Sequence, residues 1–137
     1  MPYELIDHTA DIGIHVTGGN IKDLFETAAR AMYEQIVDMD QLKGSHTRKF
    51  QVSGIDRADL LINFLRELLS AWTIDNLLVK QIYINEIDNN HLTADITCDT
   101  YIPETHEILM DIKAVTYHGI SVDRTDDGWQ ATIIFDV

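Results

Sequence analysis

The chain has little of what small proteins use to staple themselves together or to grip a polyanion. Its 137 residues include one cysteine, two prolines and seven glycines. A single thiol, Cys98, excludes an internal disulfide, a zinc ribbon and a CxxC redox motif, and points to a reducing cytoplasm. No apolar run approaches the ~20 residues of a membrane span, and Met1-Pro-Tyr-Glu-Leu-Ile-Asp-His lacks the charged-then-apolar profile of a secretory signal. Basic residues are also scarce: 10 Lys and Arg stand against 23 Asp and Glu, a net charge of −13. Direct, high-affinity nucleic-acid binding needs clustered Lys and Arg and is excluded on that ground. A metal ion or a cationic partner fits the balance better.

What is present is enough for one domain, since 137 residues fall in the single-domain range and bury a core without a staple. Two segments carry a helical period. Ile21, Leu24, Phe25, Ala28, Met32 and Ile36 form one stripe behind Gly18-Gly19-Asn20, which predicts a helix over 21–37. After Gly54 and the capping Asp56, the stripe Leu60, Leu61, Phe64, Leu65, Leu68, Leu69 and Trp72 is wider, so the second helix reads as the more buried. Period-two alternation predicts strands over 3–7, 11–17, 48–53, 78–87, 92–101, 112–124 and 128–136. Asp88-Asn89-Asn90 and Thr125-Asp126-Asp127-Gly128 carry hairpin turn chemistry. This order predicts an α+β domain, a mainly antiparallel β-sheet packed with two α-helices, spanning 1–137.

Alternation also assigns faces. Asp11, Gly13 and His15 fall opposite Ile12, Ile14 and Val16, and Asp136 falls opposite Phe135 and Val137. In the strand over 112–124, Ile112, Ala114, Ile120 and Val122 form the apolar side, with Lys113, Tyr117, Ser121 and Asp123 on the polar side. Pairing the last two strands as a hairpin then puts Lys113 and Asp136 on one polar face, with Asp136 across from Val115 or Tyr117. Oxygen-only groups such as Asp11 and Asp136 suit a hard cation, calcium or magnesium, rather than zinc. Spacing alone favours reading them as solvated strand-end acids.

The remaining chemistry-bearing residues are dispersed. Six histidines show no HxxxH or HExxH spacing, and there is no GxSxG elbow, P-loop or GxGxxG. Adjacent Tyr117 and His118 point to opposite faces of a regular strand, which makes His118 a core-facing or hydrogen-bonded structural residue. Cys98 falls on an apolar side with Leu92, Ala94 and Ile96 and reads as an inert buried thiol.

Four stretches together resemble the archease family. They are His8-Thr9-Ala10-Asp11-Ile12-Gly13; Ser53-Gly54-Ile55-Asp56 with the helix Asn63-Phe64-Leu65-Arg66-Glu67-Leu68-Leu69; Ile112-Lys113-Ala114-Val115-Thr116-Tyr117-His118-Gly119; and Gly128-Trp129 with Ile134-Phe135-Asp136-Val137. The resemblance runs end to end, and only Ile102-Pro103-Glu104-Thr105-His106-Glu107 departs from the family pattern. It implies a non-catalytic accessory protein of the GTP-dependent tRNA-splicing RNA ligase, which joins 2′,3′-cyclic phosphate or 3′-phosphate ends to 5′-hydroxyl ends. The accessory protein promotes guanylylation and multiple turnover of that ligase. It further implies a divalent-cation site, for calcium ahead of magnesium or manganese, at Asp11, Asp136 and Val137. Lys113 and Asp38 are the other functional or partner-contacting candidates. The alternatives are a chaperone or modulator of nucleic-acid-modifying enzymes such as methyltransferases, and a metal-assisted hydrolase using the same acids.

Overall fold

In the computed structural model, which describes residues 2–8 and 11–137, the chain forms seven strands and two long helices. The order is β1 (Tyr3–His8), β2 (Asp11–Gly18), α1 (Ile21–Ile36), β3 (His46–Ser53), α2 (Arg57–Thr73), β4 (Leu77–Ile87), β5 (His91–Thr100), β6 (Ala114–Thr125) and β7 (Gly128–Asp136). This is the expected α+β class, with every neighbouring strand pair antiparallel. The strands divide into two sheets, ordered β1-β2-β7-β6 and β3-β5-β4. Both helices pack against strands of both sheets, so a single core lies between them.

The two helices begin alike. Each starts with Gly-x-Asn/Asp-x-x-Asp-Leu: Asn20 accepts from the Asp23 N–H and Asp56 from the Asp59 N–H, both at 2.8 Å. These caps satisfy a donor that the first helical turn leaves unpaired, and the acids Asp23 and Asp59 sit at the positive end of each dipole. The glycine two residues before each cap is required by proximity. A Cβ on Gly18 would lie 2.6 Å from the Leu24 amide nitrogen, and one on Gly54 would lie 2.5 Å from that of Leu60.

α1 and α2 bury the same number of residues, eight each, which corrects the expectation that α2 is the deeper helix. The reason is that Ala29, Ala31 and Tyr33 of α1, off its main stripe, are also fully buried. Tyr33 donates its hydroxyl to the Leu68 carbonyl and so joins the two helices, while burial pushes its pKa far up.

A second buried tether holds the β3 entry. Asp99, only 8% exposed, accepts the Lys43 N–H at 2.6 Å and the Ser45 N–H at 2.8 Å. Burial alone would raise its pKa, but the N–H groups of Ser45, Lys43 and Gly44 outweigh that and hold it at about 2. Cys98 beside it is buried, and burial raises its thiol pKa, in keeping with an inert core residue.

β6 departs most from its expected form. It starts at Ala114, not Ile112, and four residues, Tyr117 to Ile120, face a single residue of β7. Gly119 supplies the left-handed φ of +63° that this bulge needs. The three extra residues are an odd number, so the faces of 114–116 are inverted relative to 121–124. Val115, rather than Ala114, therefore joins the core with Phe135.

Gly54→Ala is expected to cost about 1–3 kcal/mol, because the new methyl group meets backbone that cannot rotate away. A urea midpoint reduced at unchanged m-value would show it. Asp99→Asn is expected to cost about 2 kcal/mol near neutral pH. Folding lowers this pKa, so the contribution is fully present above the ordinary value of 3.8 and disappears as pH falls through about 2. The gap between wild type and variant in denaturant titrations should accordingly narrow from pH 5 to pH 2.

Candidate functional site

The chain's first hairpin and its last strand build one acidic end. β2 starts at Asp11 and β7 ends at Asp136, and the antiparallel register sets these two residues directly opposite each other. On the core face the next pair, Ile12 with Phe135, anchors that register, followed by Ile14 with Ile133 and Val16 with Ala131. Alternation then turns both carboxylates to the outer face. Directly opposed residues have Cβ atoms about 4.5–5.5 Å apart, a spacing at which like charges repel. A pair of facing carboxylates is an oxygen donor set that a hard divalent cation would neutralise. The donor chemistry thus fits the expected cation. Among the described residues no group of three or more His, Cys, Asp or Glu is gathered as a metal cluster. Thr9 and Ala10 of the opening motif lie outside the described residues.

Val137 follows Asp136 and is 40% exposed. Lys113 reaches the same place by a route different from the expected one. The hairpin closes with Thr125 opposite Gly128, and a regular ladder from that turn would put Tyr117 opposite Asp136. The bulge over 117–120 shifts the register by three, and Ala114 takes that position. Lys113 precedes the strand, and its N–H donates to the Asp136 carbonyl at 2.8 Å. It is exposed. Lys113 and Asp136 are neighbours through the main chain, not a cross-strand pair on one polar face.

Asp38 has a local task. It is exposed and caps the short 3-10 turn Met39–Gln41, accepting the Asp40 N–H at 3.1 Å. The preceding Val37 bridges to Ile108, and the Leu109 N–H donates to the Ile36 carbonyl at 2.7 Å. The end of α1 is in this way joined to the segment that leads into Lys113.

The bulge also settles Tyr117 and His118. His118 is exposed rather than core-facing, with its N–H donated to the Thr116 hydroxyl at 3.2 Å. Four residues opposite one cannot keep simple alternation. Tyr117 donates its hydroxyl to Asp59 at 2.6 Å, and the Arg66 guanidinium lies 4.7 Å from its ring centre. That hydrogen bond, with the negative charge behind it, raises the Tyr117 pKa. Asp59 is lowered in turn, first by Tyr117 and then by the Ile55 N–H. Arg66 also donates to the Val115 carbonyl at 3.0 and 3.1 Å, so the bulge is fastened to α2.

A cleft of about 520 Å³ between α1 and β4 is lined by Arg30, Glu34, Lys80 and Tyr83 among others, and none of the predicted site residues borders it. What sequence reading missed is that the segment over 106–111, leading into Ile112 and Lys113, has a pattern of its own. Its side chains alternate, with His106, Ile108, Met110 and Ile112 inward and Glu107, Leu109, Asp111 and Lys113 outward. The period was present in the residues, but among the described residues the Val37–Ile108 bridge and isolated main-chain bonds hold this stretch without a ladder, so it resembles a loop.

Known proteins match over the whole length. Residues 3–137 fit the Archease protein family (MTH1598/TM1083). Protein archease of Methanosarcina acetivorans is 33% identical over 98% of this chain and 95% of its own. Protein archease of Pyrococcus abyssi is 33% identical over 98% of each. The solution structure of Methanobacterium thermoautotrophicum protein 1598 superposes with a TM-score of 0.81 at 31% identity, covering 99% of both chains. With its two helices, its antiparallel sheets and its full-length match in common with these proteins, the chain belongs to the archease family.

Proposed function

We propose that this protein activates the GTP-dependent tRNA-splicing RNA ligase by promoting its guanylylation and so its repeated turnover. Membership of the archease family supports the broader statement, an accessory protein for RNA-processing enzymes rather than a catalyst. The observation that carries the finer one is the placement of Asp11 opposite Asp136, with Lys113 held to the Asp136 main chain. Two facing carboxylates would supply oxygen donors to a cation, and Lys113, exposed and tied to Asp136 through its main chain, would supply a positive charge for a phosphate. Asp11, Asp136 and a Val137 oxygen would hold the divalent cation, calcium first and magnesium or manganese as alternatives. When bound, that ion cancels the repulsion between the carboxylates and offers positive charge to nucleotide phosphate oxygens. Lys113 orients a carboxylate or meets the phosphate itself.

The direct test is guanylylation of the cognate ligase with labelled GTP at limiting ligase. Wild-type protein is expected to raise the labelled fraction, and Asp136→Ala to abolish most of that gain while keeping its circular dichroism spectrum. Full stimulation by the variant would sink the proposal. No stimulation by wild type would leave modulation of another client, methyltransferases included.

Cation binding has its own readout. A saturating divalent cation should raise the melting temperature by roughly 3 °C or more over chelator-treated protein. Asp11→Asn and Asp136→Asn should each remove that rise. In chelator Asp136→Asn should match or exceed wild-type stability, since it relieves a like charge opposite Asp11.

A further inference from the structure

The segment over 106–113 is extended, fixed and displayed. His106 is 7% exposed and its Nδ1 accepts the Ile102 N–H at 3.0 Å, while its own N–H donates to the Ile102 carbonyl at 2.8 Å. Its ring lies against Tyr101, which meets Trp72 of α2 edge-on with centres 5.0 Å apart. Ile108 bridges to Val37, Leu109 N–H bonds Ile36, Ile112 is fully buried and Lys113 N–H bonds Asp136. Each inward residue is therefore committed to the core or to a backbone tether.

The outward row reads Glu107, Leu109, Asp111, Lys113. Three of these are charged, as solvated positions should be. Leu109 is 55% exposed and apolar in the middle of the row. Its backbone bond to Ile36 is independent of the side chain, so that bond does not call for leucine. The row is also close to the acidic end. Leu109 and Lys113 are four residues apart, at most about 14 Å of chain, and Asp38 follows the Val37 that bridges to Ile108.

We propose that this row is a docking strip, with Leu109 as its anchor, for a protein partner whose cationic surface surrounds a small apolar pocket. The inference rests on the accessory reading above and names the surface through which it acts. Charge complementarity selects the partner: Glu107 and Asp111 flank the anchor, Asp38 follows the residue bridged to Ile108, Asp136 is bonded to Lys113 at the end of the row, and the chain carries −13 overall. Enzymes that hold RNA carry such cationic surfaces, whereas RNA itself would be repelled. A strip fixed before contact loses little freedom on binding, which favours affinity from few side chains. Docking here sets how tightly the partner is held and leaves the carboxylate pair to the activation step.

The test combines direct binding to the cognate ligase, by calorimetry of the full chain, with a guanylylation titration. Leu109→Asp is expected to weaken binding about tenfold or more and to shift the half-saturating concentration equally, with the same plateau at excess. Glu107→Lys with Asp111→Lys should weaken binding and flatten its dependence on salt. Ile74→Ser, a change at a side chain 74% exposed just past the end of α2, should leave both curves unmoved. Binding by Leu109→Asp equal to wild type, or a lowered plateau at an unchanged midpoint, would overturn the strip. Wild-type binding without stimulation would overturn the activation reading alone, and the strip would then stand or fall on the binding curves. No wild-type binding would overturn both.

Discussion

Everything at the acidic end depends on the pairing of β2 with β7. It sets a strand from the first part of the chain against its last strand in the middle of a four-stranded sheet. Such a contact closes nearly the whole chain into one loop, and the closure entropy has to be recovered by burial. Ile12, Ile14 and Val16 facing Phe135, Ile133 and Ala131 supply it, all on the core side. Because side chains alternate, the hydrophobic register that recovers this entropy also dictates which outward residues meet. A slip by one residue would expose the whole apolar set, so the facing of Asp11 and Asp136 is protected by the core and not by any attraction between them. Core packing thus sets two carboxylate-bearing residues opposite each other whatever their mutual electrostatics, and oxygen donors so placed are of the kind a divalent cation takes.

The bulge in β6 is the second determinant. From the turn at Thr125 and Gly128 the ladder is regular as far as Ser121 and Thr132, and it resumes at Thr116 and Ile134. An odd insertion exchanges the two faces of a strand, which moves Val115 into the core and brings Ala114 to Asp136. α2 fastens the start of the insertion at two points, through Tyr117 to Asp59 and Arg66 to the Val115 carbonyl. Asp59 is already fixed by the α2 start, where it receives the Ile55 N–H at 2.9 Å. The helix cap, the bulge and the Lys113 position are thereby consecutive parts of one connection.

This separates what was legible in the residues from what was not. Helices, strands and turn positions follow from local periodicity and caps, and α1, α2 and the strands lie where that periodicity puts them to within a few residues, while the inner course of β6 does not follow it. The facing of Asp11 and Asp136 required the partner of β2, a long-range choice that no local pattern encodes. Resemblance to a family supplied the pair, and the register supplies its physical reason. The pairing of Asp136 with Val115 or Tyr117 failed because residue counting assumes a regular hairpin. A glycine at 119 was the one local sign that it was not, and Gly119 reads equally well as an ordinary strand glycine. Division of the strands into two sheets was equally hidden, since β3, β5 and β4 alternate just as β1, β2, β7 and β6 do.

The distribution of acids explains how one chain tolerates a charge of −13. Several aspartates are spent on backbone N–H groups: Asp56 caps α2, Asp38 caps the 3-10 turn, Asp88 holds Asn90 and His91, and Asp99 holds Lys43 and Ser45. These carboxylates act as local hydrogen-bond acceptors and stabilise turns and helix starts in their ionised form. Asp11 and Asp136 are placed by the register rather than by capping. They meet on an outer sheet face, and the segment that crosses to them from α1 is held by main-chain bonds and shows one leucine among charges. Acids that stabilise the fold and acids that face outward at the chain's joined ends are thus separable by what holds them in place.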